Sequence, residues 1–291
     1  MTTRTPTSID QHTREIFGRY VLGPKLARGA FGTVHVARSL ATNSVVAVKL
    51  QHVSDAKRRD EFEREARLLA RVHDPHVVRL IDFGTLDDGS IGVVMEFVEG
   101  ITLTRYVLRH QSALDWRTAV GITLGVLEGL HAVHEAGIVH RDIKPDNVMV
   151  PLRGVGPVKI VDFGVARSAA TGDSATGRLM GSVAYMAPEQ LLGRHVDARA
   201  DLYAAGAVLY ELLATQLPFE GSVAEVIDRK RHSAGPVSIE NPMQRDWPAR
   251  LERVVLSLLR NDPAERPDSA LACIELLEDV LRLDRRGALD R

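Results

Sequence analysis

A single cysteine, Cys273, stands among 291 residues. That excludes an internal disulfide framework and any zinc site built from cysteines. The opening stretch, MTTRTPTSIDQHTREIF, holds no apolar run of leader-peptide length. The longest charge-free apolar stretches, 118–127 and 202–210, fall well short of the roughly 20 residues that span a bilayer. Aromatics make up only 5%, and the net charge is −1, from 37 Lys+Arg against 38 Asp+Glu. No global basic field and no basic stripe interleaved with aromatics is present, so neither nucleic acid nor an anionic membrane is an expected partner. A soluble, cytoplasmic protein is the default expectation. Lysine is scarce too: six of the 37 basic residues, at positions 25, 49, 57, 144, 159 and 230. GC-rich codon usage accounts for such a bias, but an ammonium and a guanidinium do different chemistry, so each lysine is worth locating. What remains is ordinary globular composition, 45% apolar and 26% charged, of a length that suits one large domain or two modest ones.

Periodicity divides the chain. Residues 1–16 are polar, with no apolar period, and read as a flexible tail. Short β-rich runs follow at 20–27, 33–38 and 45–50. A helix over 57–72 carries apolar residues at 62, 66, 69 and 72, and two further strands are expected at 77–82 and 91–97. After Gly100 the pattern turns helical, with a long amphipathic helix at 116–135 and further helical stretches at 201–214, 250–260 and 269–283. Residues 170–178, small and polar, read as a mobile loop. A β-rich part before a larger α-rich part suggests a ligand cleft between them. Gly121, Gly125 and Gly129 repeat a small-xxx-small pattern, but Glu128, His131, His134 and Glu135 beside them favour a buried helix of a water-soluble protein. His73/His76 and His131/His134 have helical i, i+3 spacing without an evident third ligand, which favours structural roles over a metal.

Five motifs carry chemistry. Arg28-Gly29-Ala30-Phe31-Gly32-Thr33-Val34 lies between two strands, where glycines let backbone N–H groups approach phosphate oxygens. Val46-Ala47-Val48-Lys49 places an ammonium on an apolar strand. Burial of that charge calls for an anion, and Glu65 on the following helix is the candidate. His140-Arg141-Asp142-Ile143-Lys144-Pro145-Asp146-Asn147 packs a carboxylate, an ammonium and a carboxamide into six residues of loop. These suit orienting a hydroxyl, neutralising a phosphoryl group and ligating Mg²⁺. Val161-Asp162-Phe163-Gly164 ends a strand on an acid, and Ala187-Pro188-Glu189 completes the series.

In this order and spacing the motifs resemble the eukaryotic-type protein kinase catalytic domain, over about residues 17–283. The phrases HRDIKPDNVMV, GSVAYMAPEQ and DLYAAGAVLYELL look most like the bacterial serine/threonine kinases. The resemblance implies an α+β, bilobal fold: a small β-rich N-lobe over about 17–95, a hinge at about 96–99, and a larger helical C-lobe over about 100–283. ATP would lie in the cleft between them, with a tail at 284–291. It implies transfer of the ATP γ-phosphate to Ser/Thr hydroxyls of proteins, with Mg²⁺, or Mn²⁺ in its place. Gly29 and Gly32 would cover the phosphates, and Lys49 would contact them and pair with Glu65. Asp142 would serve as base or positioning carboxylate, Lys144 would stabilise the transferred group, and Asn147 and Asp162 would hold the metal. Leu26, Val34, Ala47 and Met149 would sandwich adenine, near Ala27. Met95 falls at the gatekeeper position before Glu96, and Val98 would supply backbone hydrogen bonds. Leu69, Leu80, His140 and Phe163 resemble the stacked spine, Asp201 the anchor of the catalytic loop, and Glu189–Arg266 the buried ion pair of the larger lobe.

Two positions depart from the pattern. Ala27 replaces the first loop glycine, and its Cβ stiffens the loop, with a higher KM for ATP as the expected effect. Ser182 stands where Thr is usual, and keeps the hydroxyl that bonds to the catalytic loop. Arg141 before Asp142 goes with control by phosphorylation of the activation loop, for which Thr171, Ser174 and Thr176 are the candidate acceptors. A homodimer would serve autophosphorylation in trans, although no motif encodes one. Two other readings stay open: a non-catalytic ATP-binding scaffold, against which Lys49, Asp142 and Asp162 all stand, and a small-molecule phosphotransferase, against which the Ala-Pro-Glu189 segment and long activation loop stand. Lys49 and Lys144 receive phosphate chemistry on this reading, while Lys25, Lys57, Lys159 and Lys230 receive no task.

Overall fold

The computed structural model describes residues 14–29, 32–52, 56–110, 114–152, 156–163, 182–232, 236, 238–239 and 247–289, without the side chains of 56–58 and 286–289. Two compact units divide it: Met1–Glu63 with Leu80–Phe97, and Arg64–Arg79 with Val98–Arg291.

The first unit is an antiparallel sheet of six strands. They are β1 (Glu15–Ile16), β2 (Tyr20–Arg28), β3 (Gly32–Ser39), β4 (Val45–Gln51), β5 (Leu80–Thr85) and β6 (Ile91–Glu96), in the order β1-β2-β3-β4-β6-β5. Residues opposite one another on antiparallel strands share a face, and alternate residues change face. One face therefore carries Ala37, Val46, Val48 and Val94, which pack with Ile16 and Tyr20 into a core cluster. The expected tail over 1–16 is thus corrected at its end: Ile16 pairs with Tyr20 and is fully buried. Two residues are too few to show a period, so burial of one isoleucine was invisible in the sequence.

Helix α1 (Ala56–Leu69) buries Phe62, Ala66 and Leu69, as the stripe requires. It stops three residues before the expected end. Arg71 and Val72 switch to i→i−3 hydrogen bonds with Leu68 and Leu69, and Pro75 follows shortly after. The strand expected from Val77 starts only at Leu80, because Ile160 occupies the earlier backbone: Ile160 N donates to His76 O and Val78 N donates to Ile160 O.

The second unit is mainly helical. It comprises β7 (Gly100–Thr102), α2 (Leu103–His110), α3 (Trp116–Glu135), a 3₁₀ turn (Pro145–Asn147), β8 (Val148–Pro151) and β9 (Lys159–Ile160). Helices α4 (Pro188–Leu191), α5 (Arg199–Ala214), α6 (Val223–His232), α7 (Ala249–Leu258) and α8 (Ala270–Leu289) follow. Helix α8 runs to Leu289, so the tail expected at 284–291 is largely helix. The capping carboxylate of Asp115 starts α3 by accepting from Arg117 N. Gly129 on α3 lies against His76, whose carbonyl oxygen would sit 2.8 Å from any Cβ there. Gly125 likewise makes room for the side chains of His76 and Val158, 3.0 Å from a Cβ there, whereas a Cβ on Gly121 would meet open space. Helix α5 is apolar all round, with only Glu211 among its last fourteen residues less than buried, and forms the centre of this unit. Among the described residues no helix is long and apolar enough to cross a membrane.

Candidate active site

The loop before the 3₁₀ turn gathers the chemistry. Lys144 Nζ lies 3.2 and 3.0 Å from the two carboxylate oxygens of Asp142 and 3.2 Å from Ser182 Oγ. Asn147 Nδ2 donates to Asp142 O at 2.8 Å and to Asp142 Oδ2 at 3.0 Å. Asp142, Lys144, Asn147 and Ser182 therefore form one connected cluster. Asn147 spends its NH₂ on Asp142, which makes Oδ1 its available ligand atom.

This loop is held from below by Asp201, on the first turn of α5 and 1% exposed. Its Oδ1 accepts from Arg141 N at 2.7 Å, and its Oδ2 accepts from His140 N at 2.8 Å and from His134 Nε2 at 2.8 Å. Arg141 has φ of +64°, an uncommon conformation for a residue with a side chain. Its carbonyl accepts from Gln190 Nε2 at 3.0 Å, so both its backbone groups are tied down. His134, set aside in the sequence as half of a helical pair, and Gln190 were missed. Neither has a local signal, since each is 49 or more residues from its partner. His140 is buried and accepts at Nδ1 from Asp142 N (3.3 Å), which leaves Nε2–H to point at Val161 O (3.4 Å). Burial pushes its pKa down, against the pull of the Asp201, Asp142 and Asp162 carboxylates. Its ring lies 4.6 Å from that of Phe163, as two members of the expected spine.

Strands β8 and β9 pair Val148 with Ile160, and the register continues through Val161 N to Asn147 O at 2.9 Å. Asn147 and Asp162 are thereby fixed on neighbouring backbone. Asp162 has φ of +59°, again strained for a residue bearing a Cβ. One amide oxygen and one carboxylate suit Mg²⁺, which keeps water and substrate phosphate oxygens in its remaining positions. Among the described residues no group of three or more His, Cys, Asp or Glu could hold a metal. His76 instead bonds Val158 O and Glu128.

Glu189 and Arg266 form the expected buried pair, with two bonds of 2.7 and 2.8 Å. The other Arg266 donors reach Arg260 O, Arg199 O and Asn261 O, so all five N–H groups are used. Arg141 Nη1 lies 4.0 Å from Glu65 Oε1.

In the sheet unit, Val34 opposes Lys49 and Lys49 opposes Val93, while Val36 opposes Ala47 and Ala47 opposes Met95. Val34, Ala47, Lys49 and Met95 thus share the face away from the Val46–Val48 core. Ala27 opposes Val34, Leu26 precedes it on β2 and is half-exposed, and Glu96 closes β6. Gly29 N donates to Gly32 O at 2.8 Å. A Cβ on Gly32 would fall 1.8 Å from Leu50 O, so only glycine fits there. Met149 lies on β8 and Val98 at the start of the helical unit. Ala30, Phe31, Gly164 and the candidate acceptors Thr171, Ser174 and Thr176 lie outside the described residues.

Comparison with known proteins agrees with this arrangement. Residues 20–279 match the protein kinase domain. The chain is 36% identical, over 97% of its length, to the serine/threonine-protein kinase pkn3 of Myxococcus xanthus, of which it covers 54%. It is 40% identical, over 78% of its length, to the probable serine/threonine-protein kinase PknB of Bifidobacterium longum, of which it covers 34%. The chain thus spans about half the length, or less, of these curated relatives. The PknI kinase domain of Mycobacterium tuberculosis superposes with a TM-score of 0.73 at 26% identity, over 93% of this chain and all of that one. The sheet unit, the helical unit and the loop cluster on Asp201 are those of one family: the chain belongs to the protein kinase domain family.

Proposed function

We propose that this chain transfers the γ-phosphoryl group of ATP to serine or threonine hydroxyls of proteins. The cluster of Asp142, Lys144 and Asn147, locked onto Asp201, carries the reading. Asp142 accepts a hydrogen bond from the acceptor hydroxyl and aims its oxygen at the γ-phosphorus. As the new O–P bond forms, the bond to the β–γ bridging oxygen breaks, ADP leaves, and the hydroxyl proton passes to the Asp142 carboxylate. Lys144 balances charge on the transferred group, and its bonds to Asp142 and Ser182 keep it beside the reacting atoms. Asn147 and Asp162 would hold Mg²⁺, which neutralises charge on the phosphate oxygens. Lys49, on the same sheet face as Val34, Ala47 and Met95, holds the α- and β-phosphates in line. Little covalent chemistry is asked of the protein: placement and charge neutralisation lower the barrier.

Ser182 beside Lys144 supports a protein acceptor, because it places a polypeptide segment next to the transfer centre. Activation by phosphorylation of Thr171, Ser174 or Thr176 belongs to the same proposal. Arg141 Nε is buried without a hydrogen-bond partner among the described residues, and a phosphate on one of these three residues is the anion proposed for it. A second copy of the chain would serve that step in trans.

Labelled ATP and Mg²⁺ test the function. Wild-type protein should label itself or added Ser/Thr proteins, whereas Lys49→Met and Asp142→Asn should not. Absence of transfer by the wild type would favour an ATP-binding scaffold instead.

A further inference from the structure

Lys230, one of the six lysines and without a role in the transfer chemistry, is 1% exposed on α6. A buried ammonium is costly unless its donors are met. Here all three are: Nζ lies 2.9 Å from Val183 O, 2.8 Å from Ala184 O and 2.7 Å from Met186 O. These carbonyls converge because the chain turns there, Tyr185 N and Met186 N both reaching Ser182 O at 3.2 Å. Three tetrahedrally disposed N–H donors match three converging carbonyls, and a planar guanidinium fork does not. The site is a lysine site by geometry.

The lysine is itself rigidly placed. Its own carbonyl accepts from Asn261 Nδ2 at 2.7 Å, and Asn261 O accepts from Arg266 Nη2 at 3.1 Å. Lys230 Nζ and the Arg266 guanidinium both lie over the Tyr203 ring, at 5.0 and 4.9 Å from its centroid. Arg266, Glu189 and Tyr203 are the ionisable groups felt around it. Burial first and Arg266 second push the amine down to about 7, with Glu189 opposing. Even as a neutral amine it keeps two of its three donors.

The turn it gathers begins one residue past Ser182, whose hydroxyl accepts from Lys144 beside Asp142. The turn lies one to four residues past Ser182, at most about 3.6 Å of chain per residue, which puts it within reach of residues flanking an acceptor hydroxyl held at Asp142. We propose that Lys230 is a positioning residue for the protein substrate: its side-chain nitrogen gathers the Val183–Met186 carbonyls and so shapes the surface on which residues flanking the acceptor lie. It takes no part in phosphoryl transfer. This inference rests on the protein-kinase reading above.

The test separates KM from kcat. The probe is the best acceptor from a library of Ser/Thr peptides with randomised flanks. In Lys230→Met three buried carbonyls lose their donors and the turn reshapes. The peptide KM should rise at least tenfold, while kcat at saturating peptide and the KM for ATP stay within about twofold. Lys230→Arg, which keeps the charge, should not restore the peptide KM. A merely structural lysine would lower kcat through the active fraction and leave both KM values alone, and that result, or an unchanged Lys230→Met, overturns the proposal. If Lys230→Met does not fold, Lys230→Gln, with two N–H donors, is measured in the same way and should show a smaller rise in peptide KM. An unchanged value there also overturns the proposal. Failure of the wild type to phosphorylate any peptide would strike the kinase reading itself, and is distinct from a normal wild type with a normal Lys230 variant.

Discussion

Asp201→Asn probes the support of the transfer loop most directly. The carboxylate accepts three N–H groups on two oxygens, at 2.7 to 2.8 Å. An amide has one oxygen. In its better orientation it keeps the His140 and His134 bonds and turns its NH₂ toward Arg141 N, donor against donor. The lost bond to a charged acceptor is worth about 1.5–3 kcal/mol, and the two retained bonds fall to neutral strength, a further loss of about 1 kcal/mol each. The sum is about 3.5–5 kcal/mol. Arg141, at φ of +64°, then holds its strained backbone with only the Gln190 bond. For a domain of this size 1 kcal/mol corresponds to about 2–4 °C, so the melting temperature should fall by about 10 °C. Transfer should fall further than stability, at temperatures where the variant is still folded, because Asp142 loses its fixed position. Thermal melting by circular dichroism and peptide phosphorylation at 20 °C measure the two effects. A melting point within 2 °C of wild type together with near-normal turnover would refute the account of Asp201 as anchor.

Ser182→Ala removes the hydroxyl that accepts from Lys144 and should lose most transfer activity, whereas Ser182→Thr should keep it; near-normal turnover in the alanine variant removes the role. Arg266→Met strands the Glu189 carboxylate in a buried site and should cost about 3–5 kcal/mol in chemical denaturation, with much of it regained when Glu189→Leu is added. Lys230 sits at about 7 folded against 10.5 for the free side chain, so between those values the unfolded chain binds a proton that the folded one lacks. Its contribution to stability therefore rises with pH through that window. The melting-point difference between wild type and Lys230→Met should shift in favour of wild type from pH 6 to pH 9, and a pH-independent difference would show that the amine stays charged.

Much of the molecule can be read along the chain. The β-rich run at 45–50 marks a strand, the stripe at 116–135 and the helical stretch at 201–214 mark helices, and the order of Gly29–Gly32, Lys49, Asp142, Asp162 and Glu189 identifies the family. These features are legible because strand and helix periods are local, and because phosphate chemistry confines its residue types to short motifs. Burial of Ile16 and displacement of the strand expected at Val77 were not legible, since each depends on a partner distant in sequence: the sheet core for one, Ile160 for the other. His134, Gln190 and Lys230 belong with these.

The sequence by itself determined that two lysines, 49 and 144, sit in motifs of the protein kinase family, and left Lys230 as one more basic residue in an Arg-rich chain. Only the tertiary structure decided its place. A helix 44 to 47 residues beyond the Ser182 turn brings its amine to three carbonyls at once. The selection there is for tetrahedral donor geometry in a buried site. Backbone carbonyls leave no mark on sequence, so no motif announces the residue that satisfies them.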